Sequence, residues 1–167
     1  MRRSYTSIVS LSFLLFVFVS AFKAKPALSI DGVWKVTEVQ TIKPDGTITA
    51  VFPLESQIIF AKNYYSFCWT SHHSPKQSWQ IPDSIKLARF NQSIVNAGSY
   101  ELKDSVLTTK ATFAMSPMFT NGVATFKCYF SHDTLFLNGI NVLSANNVPN
   151  PIYANGSHFL TKLVKIK

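Results

Sequence analysis

The sequence predicts an all-β fold, a single up-and-down antiparallel β-barrel of about eight to nine strands with one short helix or lid segment. Three observations lead there. Strand-like runs punctuated by turn residues recur roughly every 8–12 residues from Gly32 to the C-terminus. After residue 97 the hairpin signals follow one another directly, which favours a meander over a Greek key. The chain is 47% hydrophobic and holds 14 Phe, so an open sheet would expose sticky edges that closure removes.

A leader precedes this domain. Arg2 and Arg3 form a positive n-region, and residues 8–21 are apolar apart from serines, too short and too lightly flanked for a stable span. Val19-Ser20-Ala21 offers a small-residue cleavage site, with Ala27-Leu28-Ser29 as a second choice. Residues 1–21 therefore read as a signal peptide, with residue 29 as the latest boundary, and 30–167 as the domain. An uncleaved anchor is the alternative. No cysteine lies near the end of the leader, which argues against a lipid-anchored protein. The expected destination is secreted or periplasmic.

Within the domain, residues 32–42 alternate Trp34 and Val36 with Lys35 and Thr37, as a half-buried strand does. Pro44-Asp45-Gly46 is a turn, because Pro fixes φ and Gly accepts positive φ. The β-branched run 47–52 reads as the return arm, and 56–61 as a third strand ending at Lys62-Asn63. Residues 64–70 form a fourth, aromatic strand, and 72–82 is a polar loop with two prolines. Pro82-Asp83-Ser84 opens the one predicted helix, with Ile85, Ala88 and Ile94 near helical spacing and Gly98 at its end. Tyr100 and Leu102 make a short strand before the turn Lys103-Asp104-Ser105. Residues 106–114 alternate Leu107, Thr109, Ala111 and Phe113 against polar neighbours, and Asn121-Gly122 is a turn signal. Strands at 123–131 and 134–143 are joined through His132-Asp133. A polar Asn/Pro loop reaches Asn155-Gly156, and 157–166 closes the domain.

The net charge of +8 falls to +6 without Arg2 and Arg3. The lysines are dispersed, about one per strand or turn, so the pattern is a solvated basic surface and not a nucleic-acid footprint. Cys68 and Cys128 are the only cysteines, and an oxidising compartment would permit a bridge. Alternation argues against one. Cys128 shares a face with Phe126 and Phe130, whereas Cys68 alternates against Tyr65, Phe67 and Trp69, so two inward aromatic rows leave the sulfurs on opposite sides of the wall. Two mostly buried free thiols are expected.

Gly32-Val33-Trp34-Lys35-Val36 resembles the start of bacterial lipocalin-like domain proteins, a branch of the calycin group. So do Gln57-Ile58-Ile59-Phe60 with Tyr64-Tyr65-Ser66-Phe67-Cys68-Trp69, and Asn96-Ala97-Gly98-Ser99-Tyr100-Glu101 with Leu107-Thr108-Thr109. Leu160-Thr161-Lys162-Leu163 is similar to the family's closing strand. The resemblance spans the mature chain, through motifs that are short singly and informative in their order. It implies a barrel with an internal pocket for a small apolar molecule, and no established reaction. It also implies a plug at the closed end, in which Trp34, entered through Gly32, packs under a basic residue of the last strand. Lys162 matches that place, with Lys where Arg is more usual, so the planar guanidinium fork is missing.

Tyr65, Phe67 and Trp69 share one face of the aromatic strand and are the candidate pocket lining, with Tyr100, Phe113, Phe126 and Phe130 as the opposing wall. The competing reading is that they fill a small barrel. The partner expected is a small hydrophobic molecule, bound by a monomer whose 72–96 segment acts as a lid. No nucleic acid is expected, and membrane contact only through an uncleaved leader. No cofactor is called for. Adjacent His72 and His73 point opposite ways on an extended segment, and no His-x-x-x-His or Cys-x-x-Cys spacing occurs, so no metal site is expected. No nucleophile elbow or phosphate-cradling glycine loop is present, and no catalytic residue is assigned. Glu38, able to share a face with Trp34 and Val36, would need a Lys or Tyr partner if interior, and the commoner reading is a barrel-end carboxylate reaching water. A barrel enzyme (isomerase, cyclase or hydrolase) using Glu38, His72 or Tyr65 is one alternative, and a filled structural or interaction module is the other. Asn91-Gln92-Ser93 and Asn155-Gly156-Ser157 fit the glycosylation sequon, which matters only in a eukaryotic host.

Overall fold

Nine strands follow one another in antiparallel pairs: β1 (Gly32–Ile42), β2 (Ile48–Val51), β3 (Glu55–Ala61), β4 (Tyr64–Thr70), β5 (Ser93–Lys103), β6 (Val106–Ala114), β7 (Val123–Ser131), β8 (Thr134–Leu143) and β9 (His158–Lys165). The computed structural model describes residues 28–73 and 78–166, so the leader lies outside the described residues. From β3 to β9 each strand pairs with the next, and β9 returns to β1, which closes an eight-stranded barrel. The ninth strand, β2, is an addition. Val39–Ile42 of β1 pair with β2 while Gly32–Trp34 pair with β3, so the two share one edge of β1. The all-β barrel expected from the sequence is the fold observed.

The two ends of the barrel differ. Strands β3–β4, β5–β6 and β7–β8 are joined by two-residue turns at one end. Lys62 and Asn63 (φ 49° and 68°) and Asp104 and Ser105 (φ 50° and 67°) both occupy the left-handed region, the primed geometry that matches strand twist. The other end carries every long connection. Among these are the β4–β5 link with α1 (Asp83–Asn91), the β6–β7 link with a 3-10 turn (Pro117–Phe119), and the β8–β9 link with α2 (Pro151–Ala154).

Helix α1 stops earlier than helical spacing through Ile94 to Gly98 suggests. Its C-cap is Gln92, and β5 begins at Ser93, where Ser93 and Ile94 take Thr70 and Trp69 as partners. Ladder pairing with an aromatic strand outweighs the weak helical preference of β-branched Ile94 and Val95. Gly98 lies in mid-strand, and a Cβ there would run into the Lys110 carbonyl, so the sheet itself requires a glycine. Helix α2 stands where only a polar loop is expected. Asn150 caps it by accepting from Ile152 N at 3.0 Å, and Pro151 occupies its first position, a start signal embedded in Asn150-Pro151.

Three bulges reset the alternation. They fall between Val36 and Glu38 in β1, opposite Ala97/Gly98 in β6, and opposite Thr125/Phe126 in β8. Each inserts one residue and turns the following side chains to the other face. In β1 this buries Val39 and sends Glu38 outward. In β6 it pairs Phe113 with Ala97, on the outer face, and leaves Phe113 59% exposed. The core joins Trp34 and Val36 to Ile58, Phe60, Tyr65, Phe67, Leu107, Cys128, Leu135, Leu137 and Leu163, with Ile30 packed beneath.

Candidate functional site

The tight-turn end is closed by an interlocked group around Trp34. The β1–β9 register sets Trp34 opposite Lys165, whose Nζ lies 5.5 Å from the ring centroid. That ammonium also donates to the Asp31 carbonyl at 3.0 Å, and Trp34 Nε1 donates to the Ile30 carbonyl at 2.8 Å. Phe130 packs on the indole at 5.9 Å, and Tyr100 Oη donates to Asp31 Oδ1 at 2.8 Å. Burial, then the bond to Asp31 and its charge, pushes the Tyr100 phenol up to about 12. Gly32 sits at φ +141° with Lys165 Cε 2.6 Å from the place its Cβ would occupy. The glycine thus gives the lysine stem its path across the indole.

The cation of this plug is Lys165 and not Lys162, which corrects the expectation from the resemblance. An odd separation along a strand reverses the face, so Lys162 points outward. There it meets Glu38 at 2.6 Å, and Gln40 Nε2 donates to the other carboxylate oxygen. The Lys162 ammonium, then the Gln40 amide, holds the Glu38 carboxyl below its usual range. Glu38 does not share the inward face of Trp34 and Val36; it is one half of a partly buried ion pair on the wall.

The aromatic residues singled out as lining mostly fill space. Phe60 contacts Phe67 at 5.7 Å and Tyr100 at 5.3 Å, and Tyr65 contacts Phe67 at 5.6 Å, all edge-on. Phe126 and Tyr100 pack against the same cluster, and Phe130 serves the plug. Burial pushes the Tyr65 phenol up to about 12. Phe113 lies outside, for the bulge described above. Trp69, of the same seven, borders open space.

That space is a cleft of about 860 Å³ on the outer wall, at the end with the long connections. Its floor is the outward row of the β3–β5 ladder, where Gln57, Cys68 and Val95 are successive partners, followed by Glu55, Thr70 and Ser93. Its roof is α1 and the strap before it, which contribute Trp79, Ile81, Ile85 and Phe90. Thr70 Oγ1 donates to the Gln92 carbonyl at 3.3 Å and accepts from His72 N at 3.1 Å, tying the strap to the strand end. Arg89 meets Glu55 at 2.9 Å at the border. No residue of α1 is buried, so the helix stands off the sheet and leaves the volume beneath it.

Cys68 belongs to this floor and is half-buried, whereas Cys128 belongs to the inward row and is buried. Both thiols are free, and burial pushes the Cys128 thiol up to about 12. Among the described residues no three of His, Cys, Asp and Glu gather closely enough to hold a metal ion. The walls offer apolar surface from Trp69, Ile81, Ile85, Phe90 and Val95, with the ion-paired Arg89 and Lys86 at the border, a composition that suits an apolar ligand. Sequence reasoning put Trp69 and the 72–96 segment at this end. It missed Ile81, Ile85, Phe90 and Val95, whose apolar character reads equally well as ordinary core. The closed eight-stranded barrel with one added strand makes this an antiparallel β-barrel protein, with a fold consistent with a lipocalin-like barrel. No family model, curated protein or solved structure matches the chain.

Proposed function

We propose that this is an exported lipocalin-like binding protein that holds a small hydrophobic ligand against the barrel wall, under α1. The observation that carries the reading is the cleft of about 860 Å³, within the range that accommodates a lipid- or drug-sized molecule. Two indoles, Trp69 and Trp79, flank it, and they offer flat apolar surface with a polar N–H for orientation. The lower barrel supports the same choice of place, since Tyr65 and Phe67 are buried in edge-on contacts that leave them committed to packing. The leader read from residues 1–21 supports export. An enzymatic role draws nothing from Glu38, which is engaged by Lys162 and Gln40.

The test is titration with a neutral fluorescent apolar probe, N-phenyl-1-naphthylamine, and its displacement by a fatty-acid and fatty-alcohol panel. Val95→Trp fills the floor of the cleft and is expected to abolish probe binding, while Phe126→Leu in the barrel interior leaves it within about twofold. Unchanged binding in Val95→Trp, or loss only in Phe126→Leu, would refute the assignment.

A further inference from the structure

Helix α1 covers the cleft without being packed into it. None of its residues is buried, and Leu87 and Phe90 are 62% and 45% exposed. Among the described residues, the backbone ties between the helix and the barrel gather at its C-terminal end. The Gln92 carbonyl accepts from Ser71 N at 3.0 Å and from Thr70 Oγ1 at 3.3 Å, and Ser93 Oγ donates to the Arg89 carbonyl at 2.6 Å. Bonds gathered at one point leave rotation about that point free, so this end is a pivot. An ion pair stops the rotation. Glu55, Thr70 and Ser93 are successive partners across β3, β4 and β5, which puts Glu55 two strand spacings, about 10 Å, from Ser93. Arg89 reaches over that row from the last turn of α1, and its Nη2 donates to Glu55 Oε2 at 2.9 Å. The other ion pair of the helix, Lys86–Asp83, is internal to it.

We propose that Arg89–Glu55 is a latch. It holds α1 over the cleft, and its release lets the helix swing about Gln92 and Ser93 so that ligand enters and leaves. The swing stands on the geometry of the helix, and its use as an entry route rests on the ligand cleft proposed above. The energetics suit a contact that opens often. The Arg89 and Glu55 side chains are 41% and 45% exposed, so water and salt compete with the pair. With no buried residue of α1 to uncover, the open helix lies at low free energy above the closed one. Opening also uncovers the floor. Cys68 lies there between Gln57 and Val95, half-buried and free, so its thiol reports the position of α1 whether or not a ligand is bound.

The experiment follows opening in two ways on the purified protein: labelling of Cys68 by a neutral dipyridyl disulfide, and stopped-flow association and dissociation of N-phenyl-1-naphthylamine. Arg89→Gln is expected to speed labelling and to raise association and dissociation together, each about two- to fivefold, the range an exposed ion pair supplies. The parent should show the same acceleration when salt rises from about 0.01 M to about 1 M, and Arg89→Gln should not. In a Glu55→Gln background Arg89→Gln should add nothing further, because the pair is already broken. Unchanged rates in Arg89→Gln would overturn the latch, as would effects that multiply in the double variant. Faster dissociation without faster association would make Arg89 a contact of the ligand and overturn it too. Faster labelling beside probe binding that Val95→Trp leaves intact would refute the cleft and the entry route together, while the swing of α1 stands.

Discussion

Replacing Gly32 by Ala tests whether the closed end is held by the interlock of Gly32, Trp34 and Lys165. Two costs arise from the structure. The backbone at φ +141° lies where an L side chain is strained, worth about 1–3 kcal/mol. The new Cβ would meet Lys165 Cε at 2.6 Å, and only the lysine stem can give way. Moving it removes a cation–π contact worth ~0.5–1 kcal/mol at an accessible site. It also removes the hydrogen bond to the Asp31 carbonyl, worth ~0.5–1.5 kcal/mol. The expected loss is therefore about 2–5 kcal/mol, a fall of roughly 10 °C in melting temperature for a domain of this size. Urea unfolding followed by tryptophan fluorescence measures it, and Lys165→Ala completes a cycle. The double variant should cost less than the sum of the singles by about 1 kcal/mol or more, because without the lysine the alanine displaces nothing. A Gly32→Ala protein within ~0.5 kcal/mol of wild type, or two strictly additive changes, would refute the interlock.

Two further outcomes follow from the wall. Glu38→Gln should cost about 0.5–1 kcal/mol at pH 7, where the carboxylate is paired with Lys162. The folded carboxyl lies below its ordinary value of 4.5, so its contribution is complete above that value and disappears as pH falls through the folded one. Melting curves of the two proteins should converge in acid, once the pH lies below the folded value of the carboxyl, and a gap that persists there would show that charge is not the cause. For the cysteines, an aromatic disulfide reagent should titrate one thiol in the native protein, Cys68 in the cleft floor, and the second only after unfolding. Cys128 is 1% exposed with its thiol pushed up to about 12. Two fast thiols, or none, would contradict the opposite-face placement.

Much of this architecture is legible in the sequence because turn chemistry and period-two alternation are local. Lys62-Asn63, Asp104-Ser105 and His132-Asp133 sit at the expected hairpins, and the strands they join align as their patterns imply. Face assignments fail at the bulges. Thr37 lies in the gap between Val36 and Glu38 and Thr112 in the corresponding gap of β6, and threonine is an ordinary strand residue that gives no warning of a reset. The parity that would turn Phe113 inward, and Glu38 onto the face of Trp34 and Val36, holds only up to the bulge. Lys162 is a different case. It matched a motif, but pairing register decides which lysine lies over the indole, and register is a property of two strands together. The cleft was illegible for a further reason: its volume depends on how far α1 stands from the sheet, a tertiary distance that no residue of the helix encodes by itself.

The division between the two ends explains why binding and stability need not compete in this barrel. At the tight-turn end Trp34 and Ile30 are almost fully buried, and Trp34 Nε1, Lys165 Nζ and Tyr100 Oη each have a partner, so that end can hold the barrel shut without help from the loops. At the other end α1 buries none of its residues and is fixed by the Thr70–Gln92 and Arg89–Glu55 contacts. Segments with few buried contacts open at low free-energy cost, which is what entry to a covered cleft requires. Mutations that loosen the plug should therefore lower the melting temperature while leaving probe affinity nearly unchanged, and mutations under α1 should do the reverse. A plug variant that destroys ligand binding at a temperature where it remains folded would show that the two ends are coupled through the core.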